Sequence, residues 1–355
     1  MPTSRLSTLI SAVTFGAALA ASPAHAARST PRYTSLTVFG DSLVDAGNYF
    51  TLSGGTYPDA ASGYFDGRNT NGYDWTDLLS QQLFSKPTTP SLLGGSNWGV
   101  GGAHVLDTGG NDLPEQLQLY TASLAHTGTA PDPNRLFVMN FGGNDIFGAE
   151  SGQIGSYPTV DAYLRAAAQD YADGVQSLND LGARNILLTG FPVSNVSYSY
   201  TADAYLATDL AALHLAGGTS LFDYDYTGFF NRVGTDPASL GLPVLDTDPS
   251  HNCIAENAQA DGCAGLFYFD GEHPTAAVQA AIFRDIDSEF GLTATNAIPE
   301  PANWALMFMG LCAFAFPWSV RRSARRSAVP DTSLLARHRW IHATGARRFR
   351  REETW

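Results

Sequence analysis

The apolar positions of this chain fall into short continuous runs and longer periodic stripes, and the two kinds alternate. Ser35 to Gly40, Arg135 to Phe141, Asn185 to Gly190 and Leu221 to Tyr224 are short runs rich in β-forming residues, and each predicts a buried strand. Tyr73 to Leu83 has helical spacing. Leu113 to Ala125 predicts a second helix, with Asn111 and Asp112 as caps and Pro114 in its first turn. Tyr163, Ala167, Tyr171, Val175, Leu178 and Leu181 form one stripe at spacings of three and four, stopped by Gly182. Tyr200 to Ala216 is helical and closes on Gly217 and Gly218, and a last helix is predicted to begin at Pro274. Strands that are apolar throughout, each followed by a helix, imply an α/β fold with a parallel sheet covered on both faces. Ligands of such sheets bind at the carboxyl ends of the strands. Two stretches rich in Gly, Asp and Asn, 48–71 and 234–265, read as surface loops near that edge.

The two ends have a different character. Arg5, the apolar alanine-rich run Leu6 to Ala21 and the small-x-small triplet Ala24-His25-Ala26 match a cleavable signal peptide over 1–26. Trp304 to Val320 carries no charge and sits at the lower length limit of a membrane span. Arg321, Arg322, Arg325 and Arg326 follow at once and would hold the C-terminus on the cytoplasmic side. Pro299-Glu300-Pro301 stands just upstream. This order resembles the PEP-CTERM sorting signal of Gram-negative bacteria, which implies an exosortase-like sorting enzyme as a partner and membrane attachment until processing. Residues 327–355, a basic tail, depart from that pattern, because members of that family usually stop near the arginines.

Between the ends, residues 27–297 are long for one domain but acceptable for an α/β fold. They hold 30 acidic residues against 9 Lys+Arg, a net of −21. The tail after Ala297 adds +6 and Arg5 +1, which gives the chain's −14. So acidic a body repels polyanions, which excludes nucleic acid as a partner. Cys253 and Cys263 bracket a short polar loop, and an exported protein is expected to join them in a disulfide. No second Cys or His pair accompanies them, so the spacing resembles no zinc site. His104, His126, His214 and His251 lack partners at ligand spacing, and Asp246-Thr247-Asp248 reads as a solvated loop rather than a calcium site. No metal or cofactor is implied.

Four polar blocks remain. Phe39-Gly40-Asp41-Ser42-Leu43-Val44-Asp45-Ala46-Gly47-Asn48 places a serine just past a strand, where its Oγ and backbone N–H can both be free. A serine is a poor nucleophile unless a base and oxyanion donors accompany it. Phe269-Asp270-Gly271-Glu272-His273-Pro274 sets a carboxylate three residues before a histidine, close enough to reach its Nδ1–H and leave Nε2 as the base. Phe141-Gly142-Gly143-Asn144-Asp145 and Asn97-Trp98-Gly99-Val100-Gly101-Gly102-Ala103 offer an amide and a glycine-lined backbone donor.

Taken in order, these blocks resemble those of the SGNH (GDSL) hydrolase family, most closely its secreted lipase/phospholipase/thermolabile-haemolysin branch. The resemblance covers Val38 to about Phe290. It implies a flavodoxin-like three-layer α/β/α sandwich and a serine esterase with a Ser42, Asp270, His273 triad. It also implies an oxyanion hole of Ser42 N–H, the Asn144 side chain and a second-block glycine, Gly102 by counting from Asn97, with Gly101 the neighbouring alternative. The expected substrate is a lipid or other small carboxylic ester. An O-acetyl esterase acting on exopolysaccharide is the rival suggested by the sorting signal. A surface binding protein on an inactive hydrolase scaffold is the rival outside catalysis, disfavoured by the intact set of five residues.

Overall fold

The computed structural model describes residues 29–30, 32–192, 196–294 and 296–297. The signal peptide at 1–26, the Pro-Glu-Pro at 299–301, the apolar segment 304–320 and the basic tail 327–355 lie outside them. Among the described residues no helix is long and apolar enough to cross a membrane.

A short strand β1 (Ser29–Thr30) precedes the sheet's first strand, β2 (Ser35–Gly40). Helix α1 (Asn48–Leu52), helix α2 (Trp75–Phe84) and helix α3 (Leu113–Thr127) separate it from β3 (Arg135–Asn140). Helices α4 (Gly143–Ser151) and α5 (Val160–Leu181) lead to β4 (Asn185–Thr189), and α6 (Val196–Ala211) leads to β5 (Ser220–Tyr224). Helices α7 (Tyr226–Thr235) and α8 (Ala276–Phe290) close the domain, and β6 (Asn296–Ala297) pairs antiparallel with β1. Strands β2 to β5 form a parallel sheet in sequence order.

The period-two alternation of each strand explains the layers. Phe39, Phe137, Met139, Ile186 and Leu188 enter one core with Tyr163, Ala167, Tyr171 and Val175 of α5. Leu36, Val38, Leu136, Val138 and Leu187 enter the other with Trp75 and Leu79 of α2 and Val278 and Ile282 of α8. The architecture is therefore the α/β/α sandwich expected from the sequence. Caps set the helix starts: the Asp74 carboxylate accepts from Thr76 and Asp77 N–H, and the Thr159 hydroxyl accepts from Ala162 N–H. Gly182 ends α5 at φ 115°, where a side chain would be strained.

Two expectations need correction. The last helix begins at Ala276 rather than Pro274, because Pro274 is held extended in a bridge to Tyr268 and Thr275 N–H donates to Phe267 O. Helix α6 lies one turn earlier than 200–216. Side chains of α5 take its expected C-terminal backbone, Gln176 Oε1 accepting from His214 N–H and Asn179 Oδ1 from Ala216 N–H. The glycine-rich block at 141–145 opens α4.

The register of the sheet places the site. Gly40 of β2 lies opposite Asn140 of β3, so both strands end at one level and Asp41 N–H donates to Asn140 O at 3.1 Å. On the other edge of β2, Val38 N–H donates to Ser96 O and Trp98 N–H to Val38 O, which lays the glycine segment 97–103 alongside. A Cβ on Gly40 would stand 2.4 Å from Val44 Cγ2 and 2.6 Å from Asn140 O. Gly40→Ala is therefore expected to destabilise the domain by about 1–3 kcal/mol, read as a lower urea midpoint. An unchanged midpoint would show that the strand end yields without strain.

Candidate active site

Ser42 sits two residues past the end of β2 in a turn that its neighbours fix from all sides. Asp41 Oδ1 accepts from Leu43 N–H at 2.9 Å, and Asp41 O accepts from Val44 N–H at 3.2 Å. Gln116 of α3 clamps the preceding peptide, accepting from Gly40 N–H at 2.9 Å and donating to Gly40 O at 2.8 Å. Among the described residues the Ser42 N–H donates to no acceptor. That leaves it available to a ligand.

The glycine segment is held by a residue the sequence reading left without a role. Asp45 Oδ1 accepts from Gly47 and Asn48 N–H at 2.8 and 2.6 Å, and Oδ2 accepts from Tyr49 N–H at 3.0 Å and Gly101 N–H at 2.9 Å. The Gly101 donor is thus consumed. Gly102, at φ 83°, has an N–H with no acceptor among the described residues, and it shares a cavity wall with Ser42 and Asn144. Of the two glycines, Gly102 is therefore the one whose N–H is left without an acceptor among the described residues.

Asn144 stands in the first turn of α4, whose N-cap is Gly142 with φ 105°. A Cβ at Gly142 would come within 2.5 Å of the Phe191 ring, so glycine is needed there for close packing as well as for backbone shape. One Asn144 Nδ2 hydrogen donates to Ala103 O at 2.8 Å, which aims the amide at the glycine segment and leaves its second hydrogen free. Asp145 stabilises the same junction by accepting from Val105 N–H at 2.8 Å.

His273 and Asp270 are joined through Nδ1 and Oδ2 at 2.8 Å, and Asp270 Oδ1 accepts from His273 N–H at 2.8 Å. The imidazole Nε2 is buried with no partner, and no hydrogen bond joins it to the Ser42 Oγ. Such contacts often tighten only around a substrate. Burial pushes the imidazole pKa down, but the Asp270 hydrogen bond and charge, with Glu272 and Asp41 beyond, pull harder and raise it above 6.5. Burial pushes Asp270 up, and the hydrogen bonds and charge of His273, helped by the Tyr64 hydroxyl, hold it below 3.8. Asp41 has no such partner for Oδ2, and burial drives its carboxyl up to about 7.

Two cavities meet at these residues. One of about 440 Å³ is walled by Phe147, Pro192, Phe230, Pro249, Phe267 and Tyr268. The other, of about 250 Å³, is walled by Tyr49, Tyr57, Asn69, Gly101 and Gly102. Ser42, Asn144, Glu272 and His273 line both. All five expected site residues therefore converge at one place, at the carboxyl end of the sheet.

The remaining sequence candidates lie elsewhere. Cys253 and Cys263 form a disulfide with a Cα–Cα distance of 5.2 Å, packed with Tyr64 and Phe269. His251 pairs with Asp246 at 2.9 Å in an exposed turn where Asp246 and Asp248 accept local backbone N–H groups. Of groups able to hold a metal, the described residues bring together Asp107, Asp112 and Glu115, but Asp112 already accepts from His104, Thr108 and Gly110 as a loop clasp. Asp45, Tyr64 and Gln116 were missed in the sequence. Only Asp45 had a signal, its place in the first block.

The chain is similar to several known proteins. Thermolabile hemolysin of Vibrio parahaemolyticus is 26% identical over 307 residues, covering 78% of this chain and 67% of that protein. A GDSL esterase/lipase of Arabidopsis thaliana is 29% identical over 186 residues, covering 43% and 51%, and Lipase 1 of Photorhabdus luminescens is 27% identical over 216, covering 58% and 31%. The chain thus spans about two thirds of the first relative, half of the second and a third of the last. Among solved structures, an acetylxylan esterase from Geobacillus stearothermophilus aligns at TM-score 0.38 and 17% identity, covering 72% of this chain and 94% of that one. The class is that of carboxylic ester hydrolases. The chain belongs to the GDSL-like Lipase/Acylhydrolase family, whose model matches residues 36–286.

Because Asp270 supplies the upward pull on His273, the imidazole is expected to titrate above 6.5 by NMR. Asp270→Asn should bring it below that value, since burial then acts without its main opponent. A variant whose imidazole titrates where the parent's does would remove Asp270 as the cause.

Proposed function

We propose that this protein is an exported serine esterase that works by two-step acyl transfer at Ser42. The observation that carries the reading is the Asp270–His273 pair, 2.8 Å apart, with a partnerless Nε2 on the wall that Ser42, Gly102 and Asn144 share. His273 Nε2 takes the Ser42 Oγ proton as Oγ bonds to the ester carbonyl carbon. The carbonyl oxygen, now anionic, accepts from Ser42 N–H, Gly102 N–H and the free Asn144 Nδ2 hydrogen. The histidine then gives its proton to the departing alcohol oxygen, leaving an acyl-serine. Water repeats the cycle in reverse order, with His273 again the base, and releases the acid.

Only the neutral imidazole can accept the proton, so kcat/KM falls as pH drops through the His273 pKa, above 6.5. The larger cavity, lined mostly by apolar and aromatic side chains with Glu150 and Thr247 among them, suits an acyl chain longer than acetyl, and the smaller one, with Tyr57 and Asn69, suits a polar alcohol. Lipid-like or short-chain esters are therefore favoured over O-acetylated polysaccharide. Export and sorting rest on the sequence pattern at the two ends.

Hydrolysis of p-nitrophenyl esters from acetate to palmitate, by the parent and Ser42→Ala, tests the reading. Serine-dependent turnover with an optimum beyond acetate is expected, whereas an acetate optimum would point to the acetyl esterase. Turnover by Ser42→Ala equal to the parent's would overturn the nucleophile. Asn144→Ala is expected to lower kcat by about two to three orders of magnitude with the fold retained. Parental kcat in that variant would remove Asn144 from the oxyanion hole.

A further inference from the structure

The catalytic carboxylate has a second side-chain partner. Tyr64 donates its hydroxyl to Asp270 Oδ2 at 2.8 Å, the same oxygen that faces His273 Nδ1. Tyr57 Oη lies 3.1 Å from Tyr64 Oη. Proton bookkeeping fixes the direction of this chain. Tyr64 has one O–H and Asp270, held below 3.8, has no proton to give, so Tyr64 donates to Asp270. Its oxygen is then left to accept, and Tyr57 must be the donor. Tyr57 in turn lines the smaller cavity beside Ser42 and His273. A run of hydrogen bonds therefore leads from the cavity wall to the back of the triad, through residues that neither the triad nor the oxyanion hole requires.

The chain is built rather than incidental. The Tyr64 ring is buried, edge-on to Phe269 at 4.9 Å on one side and to Tyr57 at 5.3 Å on the other. Phe269 directly precedes Asp270 and packs with the Cys253–Cys263 disulfide. Tyr64 is thus fixed by the element that carries the carboxylate it serves.

We propose that Tyr64, with Tyr57 behind it, is a positioning residue that fixes Asp270 and lowers the basicity of His273 through it. A carboxylate oxygen that accepts a second proton donor holds its negative charge more comfortably and pulls less strongly on an imidazolium. Without the Tyr64 hydroxyl, Asp270 would lock His273 in its charged form to higher pH and leave less neutral base at neutral pH. The other titratable groups facing His273 are Glu272 on its own loop and, from the end of β2, Asp41, whose carboxyl burial raises to about 7. The segment packed on Gly271 presents the uncharged Pro249 and Asn252. Neither carboxylate touches Tyr64, so their effect is constant across the variants below.

This inference rests on the proposed roles of Asp270 and His273, and its test separates the two. The His273 pKa in the full protein is measured by NMR, beside the pH profile of kcat/KM on a p-nitrophenyl ester. Tyr64→Phe keeps the ring and removes only the hydroxyl. The expected result is a His273 pKa about half to one unit higher, with the acid limb of kcat/KM moving by the same amount, because a hydrogen bond to a charged group is being removed. On the acid limb, well below the His273 pKa, kcat/KM should drop about three- to tenfold, with KM nearly unchanged. Tyr57→Phe, at the exposed end where folding is not at stake, should shift the pKa in the same direction by less.

A purely structural role for Tyr64 would loosen Asp270 and lower the His273 pKa instead. An unchanged or lowered pKa in both variants overturns the proposal. A raised pKa whose acid limb stays in place supports the chain and removes His273 as the catalytic base.

Discussion

The parallel pairing of β2 with β3 is the constraint on which the rest depends. Its register sets Gly40 against Asn140 and lets Asp41 N–H close the ladder on Asn140 O. Two chain segments, one leading to Ser42 and one to Asn144, then leave the sheet at the same height and side by side. The glycine segment reaches the same point because it runs along the free edge of β2, its Val100 N–H donating to Gly40 O at 3.0 Å. Gly40 has to be glycine because three backbones approach at this one spot. A side chain there would displace the strand end and the serine with it.

Around that junction the chain uses buried carboxylates where a less acidic protein would use amides. Asp45, Asp112 and Asp145 each accept backbone N–H groups from a loop that would otherwise have unpaired donors. Burying a charge is costly unless it is hydrogen-bonded, and these three are. Asp41 is the exception. Its Oδ2 has no partner, and burial raises its pKa to about 7, so this carboxyl beside the serine is poised between charged and neutral forms near neutral pH. Asp270 is the opposite case, held charged by His273 and Tyr64 against the same burial. Two carboxyls near one histidine are thus shifted in opposite directions, Asp41 up by burial and Asp270 down by His273 and Tyr64.

The two cavities give the site its asymmetry. A wall of Phe147, Phe230 and Phe267 faces one way from Ser42, and a wall of tyrosines and Asn69 faces the other. The apolar wall is assembled from α4, α7 and the segment before Asp270, which lie far apart in sequence. The tyrosine wall comes from α1 and the loop after it, which the Cys253–Cys263 region buttresses through Tyr64 and Phe269. An ester has two unlike halves, and a cleft with two unlike walls can orient it across the serine.

By itself the sequence determined the layers and the class of ester hydrolase. Strands such as Ser35–Gly40 and Arg135–Asn140 are apolar on both faces, so their burial in a parallel sheet follows from composition, and their bounds emerge almost to the residue. The residues proposed for the site could be named because each lies in a local sequence block, such as Asp270 three residues before His273, with the glycine left open between Gly101 and Gly102. Only the tertiary structure decided what depends on partners distant in the chain. It spent the Gly101 donor on Asp45, 56 residues away, and left the Gly102 N–H without an acceptor among the described residues. It brought Tyr64 to Asp270 across 206 residues and Gln116 to Gly40 across 76. It ended α6 early because α5 captured its backbone. Local spacing encodes a side chain's reach within a turn, whereas a hydrogen bond between remote segments exists only once packing has set their distance.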